Sequence, residues 1–126
     1  MAIQTVRWTT SPPLAPEGPA LDIPHLEQMT LGERELEREV LLLFAQQAKD
    51  LLRRLEKLPR EGWSLAHTLK GSAGGIGAFA VAEAAGEVER SLRNGVPAPD
   101  AMVALRLAVH GALIAINERL GGSGGE

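Results

Sequence analysis

Residues 30–58 read TLGERELEREVLLLFAQQAKDLLRRLEKL, and after Gly32 neither Pro nor Gly interrupts them. Leu36, Val40, Leu43, Gln47, Leu51, Leu55 and Leu58 recur at steps of three and four, the spacing of one helix face. Thr30-Leu31-Gly32-Glu33 fits a capping box, in which Thr accepts from the backbone and Glu reaches back. The expected helix is about 27 residues long, or roughly 40 Å at 1.5 Å per residue. A helix of that length in a chain of 126 residues has to be the spine of a bundle. Leu41, Leu42, Phe44 and Leu52 widen its apolar surface beyond one seam, to cover other helices or to meet a partner.

The composition fits that frame. Hydrophobic residues make up 44% of the chain, enough for one domain with a real core and too little for two. Tyr is absent and aromatics are 3%, which favours helices over a sheet. A net charge of −3 gives no electrostatic case for nucleic acid or an anionic membrane. The lack of cysteine removes disulfides, thiolate nucleophiles and cysteine metal sites. No uninterrupted apolar run approaches the roughly 18 residues of a membrane span, and the N-terminus lacks a signal-peptide pattern. A soluble, cytoplasmic protein is expected.

Around the spine the chain divides readily. Residues 1–20 carry Pro12, Pro13, Pro16 and Pro19 and are expected to be an extended or flexible arm, although Ile3, Val6 and Trp8 alternate as in a piece that docks. Asp22 can cap a short helix through about Met29, with Pro24 in its first turn. After the long helix, Pro59 and Gly62 turn the chain in a few residues, so the third helix, about Trp63 to Ile76, runs antiparallel. Leu65, Leu69, Ala73 and Ile76 are its apolar stripe, and Gly74, Gly75 and Gly77 its expected end. A fourth helix follows to Arg93 on Val81, Ala85, Val88 and Leu92, stopped by Asn94-Gly95. Pro99 opens the last, whose seam is Met102, Leu105, Val109, Ala112, Ile116 and Leu120. Residues 121–126 form a glycine-rich tail. The fold expected for residues 21–120 is all-α, an up-down-up-down antiparallel four-helix bundle with a short extra N-terminal helix.

Few motifs carry chemistry. Gly75-Ile76-Gly77-Ala78-Phe79-Ala80 matches the dinucleotide glycine fingerprint, but that pattern has force only after a strand, and here a helix precedes it. His25 and His110 sit alone, without partners at metal-ligand spacing, and read as boundary or surface residues. His67 is different. It lies two residues past Leu65, about 200° around the helix, and so faces away from the core. Trp63, Ser64, Lys70, Gly71 and Gly74 share its face. A neutral imidazole can attack an electrophilic phosphorus, Lys70 can offset phosphoryl charge, and Gly71 leaves room for a docking protein. Nothing nearby could bind ATP, so the phosphoryl group has to arrive from another protein.

His67-Thr68-Leu69-Lys70-Gly71-Ser72, followed by Gly77-Ala78, resembles the histidine-containing phosphotransfer (HPt) domains of multistep two-component relays. Ala66 through Ala78 fit the family pattern A-H-x-L-K-G-[SA]-x-x-x-[LIV]-G-[AL]. Val88-Glu89 falls at its later apolar-acidic pair, and Leu41-Leu42-Leu43-Phe44 is similar to its long helix. The resemblance implies that His67 accepts a phosphoryl group from a receiver aspartate and passes it to another receiver. It implies response-regulator receiver domains and a hybrid histidine kinase as partners. It further implies that Lys70 neutralises the phosphoryl group, that Gly71 admits the receiver's loops, and that Glu89 orients the imidazole through its inner nitrogen. Receiver docking is expected around Phe44, Gln47, Ala48 and Leu51 of the long helix and Ser64, Thr68 and Gly74 of the third. No cofactor is expected in this chain, Mg²⁺ coming with the receiver. A monomer is expected, acting as a phosphocarrier without ATP-dependent kinase activity.

Two features depart from the family pattern. The Pro59-Arg60-Glu61-Gly62 turn is short, which brings Trp63 close to His67 as a docking contact or, on the favoured reading, a cap on the bundle end. Glu89 stands where a Gln is common; an ionised Glu can only accept, so it needs the imidazole N–H facing it. The chain, which begins with Met and shows no receiver or kinase domain, is expected to be a stand-alone shuttle. The alternative is a non-catalytic bundle that binds or sequesters receivers. A kinase dimerisation helix pair is disfavoured, since it would carry a proline soon after the histidine and an ATP domain.

Overall fold

The computed structural model describes residues 18–57 and 62–121, so the expectations for residues 1–17, Leu58, the turn before Gly62 and the tail after Gly121 fall outside it. Among the described residues there are five helices and no strand: α1 (Ile23–Met29), α2 (Arg34–Lys57), α3 (Gly62–Ile76), α4 (Phe79–Arg93) and α5 (Pro99–Arg119). α3 packs on α2 and α4, and α5 packs on α4 and returns to α2, closing a four-helix bundle with α1 laid against α3. The core is aliphatic and rich in alanine. Leu41, Leu69, Leu105, Val81 and Val88 fill it, while Ala48, Ala66, Ala73, Ala85 and Ala112 are fully buried and let the helices approach closely.

The spine carries a correction. The buried line of α2 is Glu37, Leu41, Phe44, Ala48, Leu51 and Leu55, whereas Leu36 and Leu43 are exposed and Val40 and Gln47 only half-buried. The seam expected from the leucines is thus one residue out of register until Leu51, where the two lines merge. The reason is charge. Glu37 looks like a surface residue, yet it is buried because Arg119 of α5 grips it twice, Nε to Oε2 at 2.6 Å and Nη2 to Oε1 at 3.1 Å. The same guanidinium donates to Glu27 of α1 at 3.0 Å. One arginine near the chain's end therefore ties the first, second and last helices together, and its hydrogen bonds hold the Glu37 carboxyl below the usual range.

The capping box also fails. α2 starts at Arg34, and the Thr30 hydroxyl points back into α1, donating to the Leu26 carbonyl at 2.9 Å. Leu31 and Gly32 both take positive φ, 58° and 74°, which leaves Thr30 as the end of α1. α5 is long and apolar enough to cross a membrane by length and composition, with a mean hydropathy of 1.5 over its best window. Here its Leu105, Ala108, Val109, Ala112 and Ile116 line the bundle core, and Arg106 pairs with Glu56 of α2 at 3.1 Å.

α1 is held at the corner between α3 and α4. Asp22 caps it through the His25 N–H at 3.0 Å, and the Asp22 N–H donates to the Gly77 carbonyl at 2.9 Å. His25, expected as an isolated residue, donates from Nε2 to the Gly75 carbonyl at 3.1 Å and meets Phe79 edge-on at 5.1 Å. The corner depends on Gly77. α3 runs on through Gly74 and Gly75 to Ile76, and Gly77 then takes φ 92° while the Ala78 N–H returns to the Ala73 carbonyl at 2.9 Å, a Schellman ending. A Cβ there would sit 2.9 Å from the Asp22 carbonyl oxygen. Gly77→Ala is therefore expected to cost about 2 kcal/mol, combining the left-handed penalty with the lost seat of α1. Denaturant unfolding checks this; an unchanged midpoint would rule out the corner as a constraint.

Candidate functional site

Gly62, Ala66, Leu69, Ala73 and Ile76 form the buried line of α3, with Leu65 only half-buried at its edge. At 100° per residue, His67 lies roughly 140° around from the middle of that line, so its ring leaves the core and emerges beside α4. Its side chain is 64% exposed. Glu89 comes from the next helix and is the opposite case, an acidic side chain only 7% exposed. His67 Nδ1 stands 2.9 Å from Glu89 Oε2.

The electrostatics fix the tautomer. Lys70 Nζ lies 3.0 Å from Glu89 Oε1, and Arg93 Nη1 lies 3.8 Å from Oε2. The hydrogen bond from Lys70 outweighs burial, and with the bond from His67 it holds the Glu89 carboxyl below the ordinary range. An ionised carboxylate can only accept, so a proton sits on Nδ1, and in the neutral ring the lone pair of Nε2 is turned to solvent. With a neutral imidazole, Lys70, Arg93 and Glu89 sum to one net positive charge around the ring. The arrangement offers a free nitrogen nucleophile, a buried anion behind it to steady a positive ring, and cations for an incoming anion.

Two residues that shape the site have only weak sequence signals. Gly86 lies under the Lys70 stem, where a Cβ would approach Lys70 Cδ to 3.3 Å; a lone glycine inside a helical pattern was its only mark. Arg93 lies four residues after Glu89 and stacks on Trp63, its Cζ 4.7 Å from the ring centroid. Trp63 is thus partly exposed and paired with a cation. Lys70 likewise is not free in this state, since Glu89 holds it.

The expected docking residues divide. Ser64, Thr68 and Gly71 are exposed, and a Cβ on Gly71 or Gly74 would meet nothing within 4 Å. Gln47 is half-buried. Phe44, Ala48 and Leu51 are core residues at 4%, 0% and 5% exposure and cannot touch a partner; the shifted register of α2 turned Phe44 and Ala48 inward, while Leu51 lies on both lines. An open groove of about 530 Å³ runs along α4 past Lys70, Gly86, Glu89, Arg90 and Arg93, but His67 does not line it. Among the described residues no three His, Asp or Glu side chains gather as metal donors.

A helical bundle that presents one histidine outward, backed by a buried carboxylate and flanked by a lysine, defines a class of nitrogen-nucleophile carrier. The family model described as Hpt domain matches residues 39–120. The chain belongs to the Hpt domain family, whose members serve histidine phosphotransfer in phosphorelay signalling and interact with receiver domains. Among curated proteins and solved structures, none matches the chain.

Proposed function

We propose that this protein relays a phosphoryl group between receiver-domain aspartates through Nε2 of His67. The observation that carries the reading is the 2.9 Å contact of Nδ1 with buried Glu89, which in the neutral ring puts the proton on Nδ1 and leaves the lone pair on the outward Nε2. In the forward step Nε2 attacks the phosphorus of an aspartyl phosphate. The P–N bond forms, the P–O bond to aspartate breaks, and the carboxylate leaves. The ring becomes a phosphoimidazolium that keeps its proton on Nδ1, where Glu89 offsets the positive charge. In the second step a carboxylate oxygen of another receiver aspartate attacks the phosphorus, the P–O bond forms, the P–N bond breaks, and neutral imidazole, still protonated on Nδ1, is the leaving group. Lys70 leaves Glu89 Oε1 to meet the phosphoryl oxygens.

The receiver brings Mg²⁺ and the acidic pocket, so this chain acts as a cytoplasmic, monomeric carrier in the up-down-up-down arrangement that its short connections imply. A hybrid histidine kinase is the expected source of phosphate upstream. Docking uses the exposed Ser64, Thr68 and Gly71 and the half-buried Gly74 of α3 with Gln47 of α2, and buries the modest area of transient exchange, under about 1,200 Å². The test is incubation with phosphorylated receivers: acid-labile label should move to this protein. Label that stays on receivers which nevertheless bind would favour the sequestering alternative. Gly71→Trp is expected to slow transfer about tenfold by blocking approach, with the melting temperature unchanged because the added side chain points into open space. Unaltered kinetics in that variant would move docking to another face.

A further inference from the structure

Trp63 and Arg93 are neighbours of His67 to which the phosphotransfer steps give no task. They come from different helices, Trp63 one turn before His67 and Arg93 one turn after Glu89. Arg93 lies over the indole with Cζ 4.7 Å from its centroid and reaches within 3.8 Å of Glu89 Oε2, the same oxygen that accepts from Nδ1–H. A guanidinium stacked on an aromatic face is pre-aimed, so less freedom is lost in holding a carboxylate.

Burial makes this arrangement matter. Glu89 is 7% exposed and its nearest cation is Lys70 at 3.0 Å. When Lys70 turns to a phosphoryl group, the carboxylate loses that partner at the moment the ring needs it. A buried carboxylate stripped of its cation relaxes, by taking up a proton or by turning toward water. Either response would release Nδ1 and let the imidazole rotate or change tautomer. Arg93 meets Glu89 on the other oxygen, and its anchor on Trp63 is independent of Lys70.

We propose that Arg93, anchored on Trp63, is a positioning residue that holds Glu89 Oε2 on His67 Nδ1 while Lys70 is drawn away. The movement of Lys70 rests on the phosphotransfer reading above; the hold on the tautomer does not. The Lys70→Met background reproduces the departure of Lys70 without any phosphate. In the full-length protein, ¹⁵N NMR of the His67 ring should show the Nδ1–H tautomer retained in K70M. It should fall to about half in K70M/R93Q and in K70M/W63L, and return in K70M/W63F, which keeps a ring under the guanidinium. R93Q alone should slow phosphoryl transfer about fivefold without moving the melting temperature. An Nδ1–H tautomer as complete in K70M/R93Q as in the wild type overturns the proposal. If the tautomer responds as expected but wild-type protein takes no phosphate from any receiver, the positioning role stands and the phosphotransfer reading falls.

Discussion

His67→Gln abolishes phosphoryl uptake from a phosphorylated receiver while leaving the bundle folded. The side chain is 64% exposed and sits off the buried line of α3, so its replacement removes no core volume. Substitutions at such positions usually stay within about 0.5 kcal/mol, and the helical circular dichroism and melting temperature should follow the wild type. Glutamine can still donate an amide N–H to Glu89, so the carboxylate is not orphaned and Lys70 and Arg93 keep their partner. What disappears is the nucleophile, since an amide nitrogen has no available lone pair to attack phosphorus. Uptake should drop below detection in a radiolabel transfer assay. Acid-labile phosphate persisting on the variant would show that another residue carries the group.

The largest effect on stability belongs at the far side of the molecule. Arg119→Ala leaves Glu37 buried without its two hydrogen bonds, and removing one partner of a buried ion pair costs about 3 kcal/mol, the low end of the usual range because Arg119 is partly exposed. A urea titration should show the midpoint falling accordingly. The pH dependence has a definite sign. Glu37 has a folded pKa below its usual value of 4.5, so its contribution is complete above that value and is lost as pH falls through the lowered one. In the variant the buried carboxyl takes up a proton more readily, so the gap between the two proteins should narrow in acid. The double change Glu37→Met with Arg119→Leu should recover most of the loss, since an apolar pair of similar size does not need charge compensation. An R119A midpoint equal to the wild type would mean that the network contributes nothing.

These two experiments separate what is local from what is not. The helix segments and their ends follow from short-range signals: Asp22 capping α1, Gly77 and Asn94-Gly95 closing α3 and α4, and Pro99 opening α5. The middles of the α4 and α5 lines agreed with their apolar periodicity, Val81, Ala85 and Val88 in one and Leu105, Val109, Ala112 and Ile116 in the other, while Leu92, Met102 and Leu120 at the ends are only half-buried. α2 did not, since a glutamate at an inward position is unreadable until the arginine 82 residues later is seen against it. That one residue shifted the expected seam and, with it, two expected docking residues, Phe44 and Ala48.

At the site the same division holds. The exposure of His67 and its closeness to Lys70 are properties of one helix and follow from its 3.6-residue periodicity alone. Glu89 was expected as the partner of His67 only through the family resemblance, and no spacing within the chain pointed to it. Only the packed structure decided that Lys70 is held by Glu89, that Gly86 clears its path, and that Arg93 lies on Trp63. Those pairings cross between helices, where side-chain length, rotamer and burial set the outcome. Sequence spacing carries no information about them.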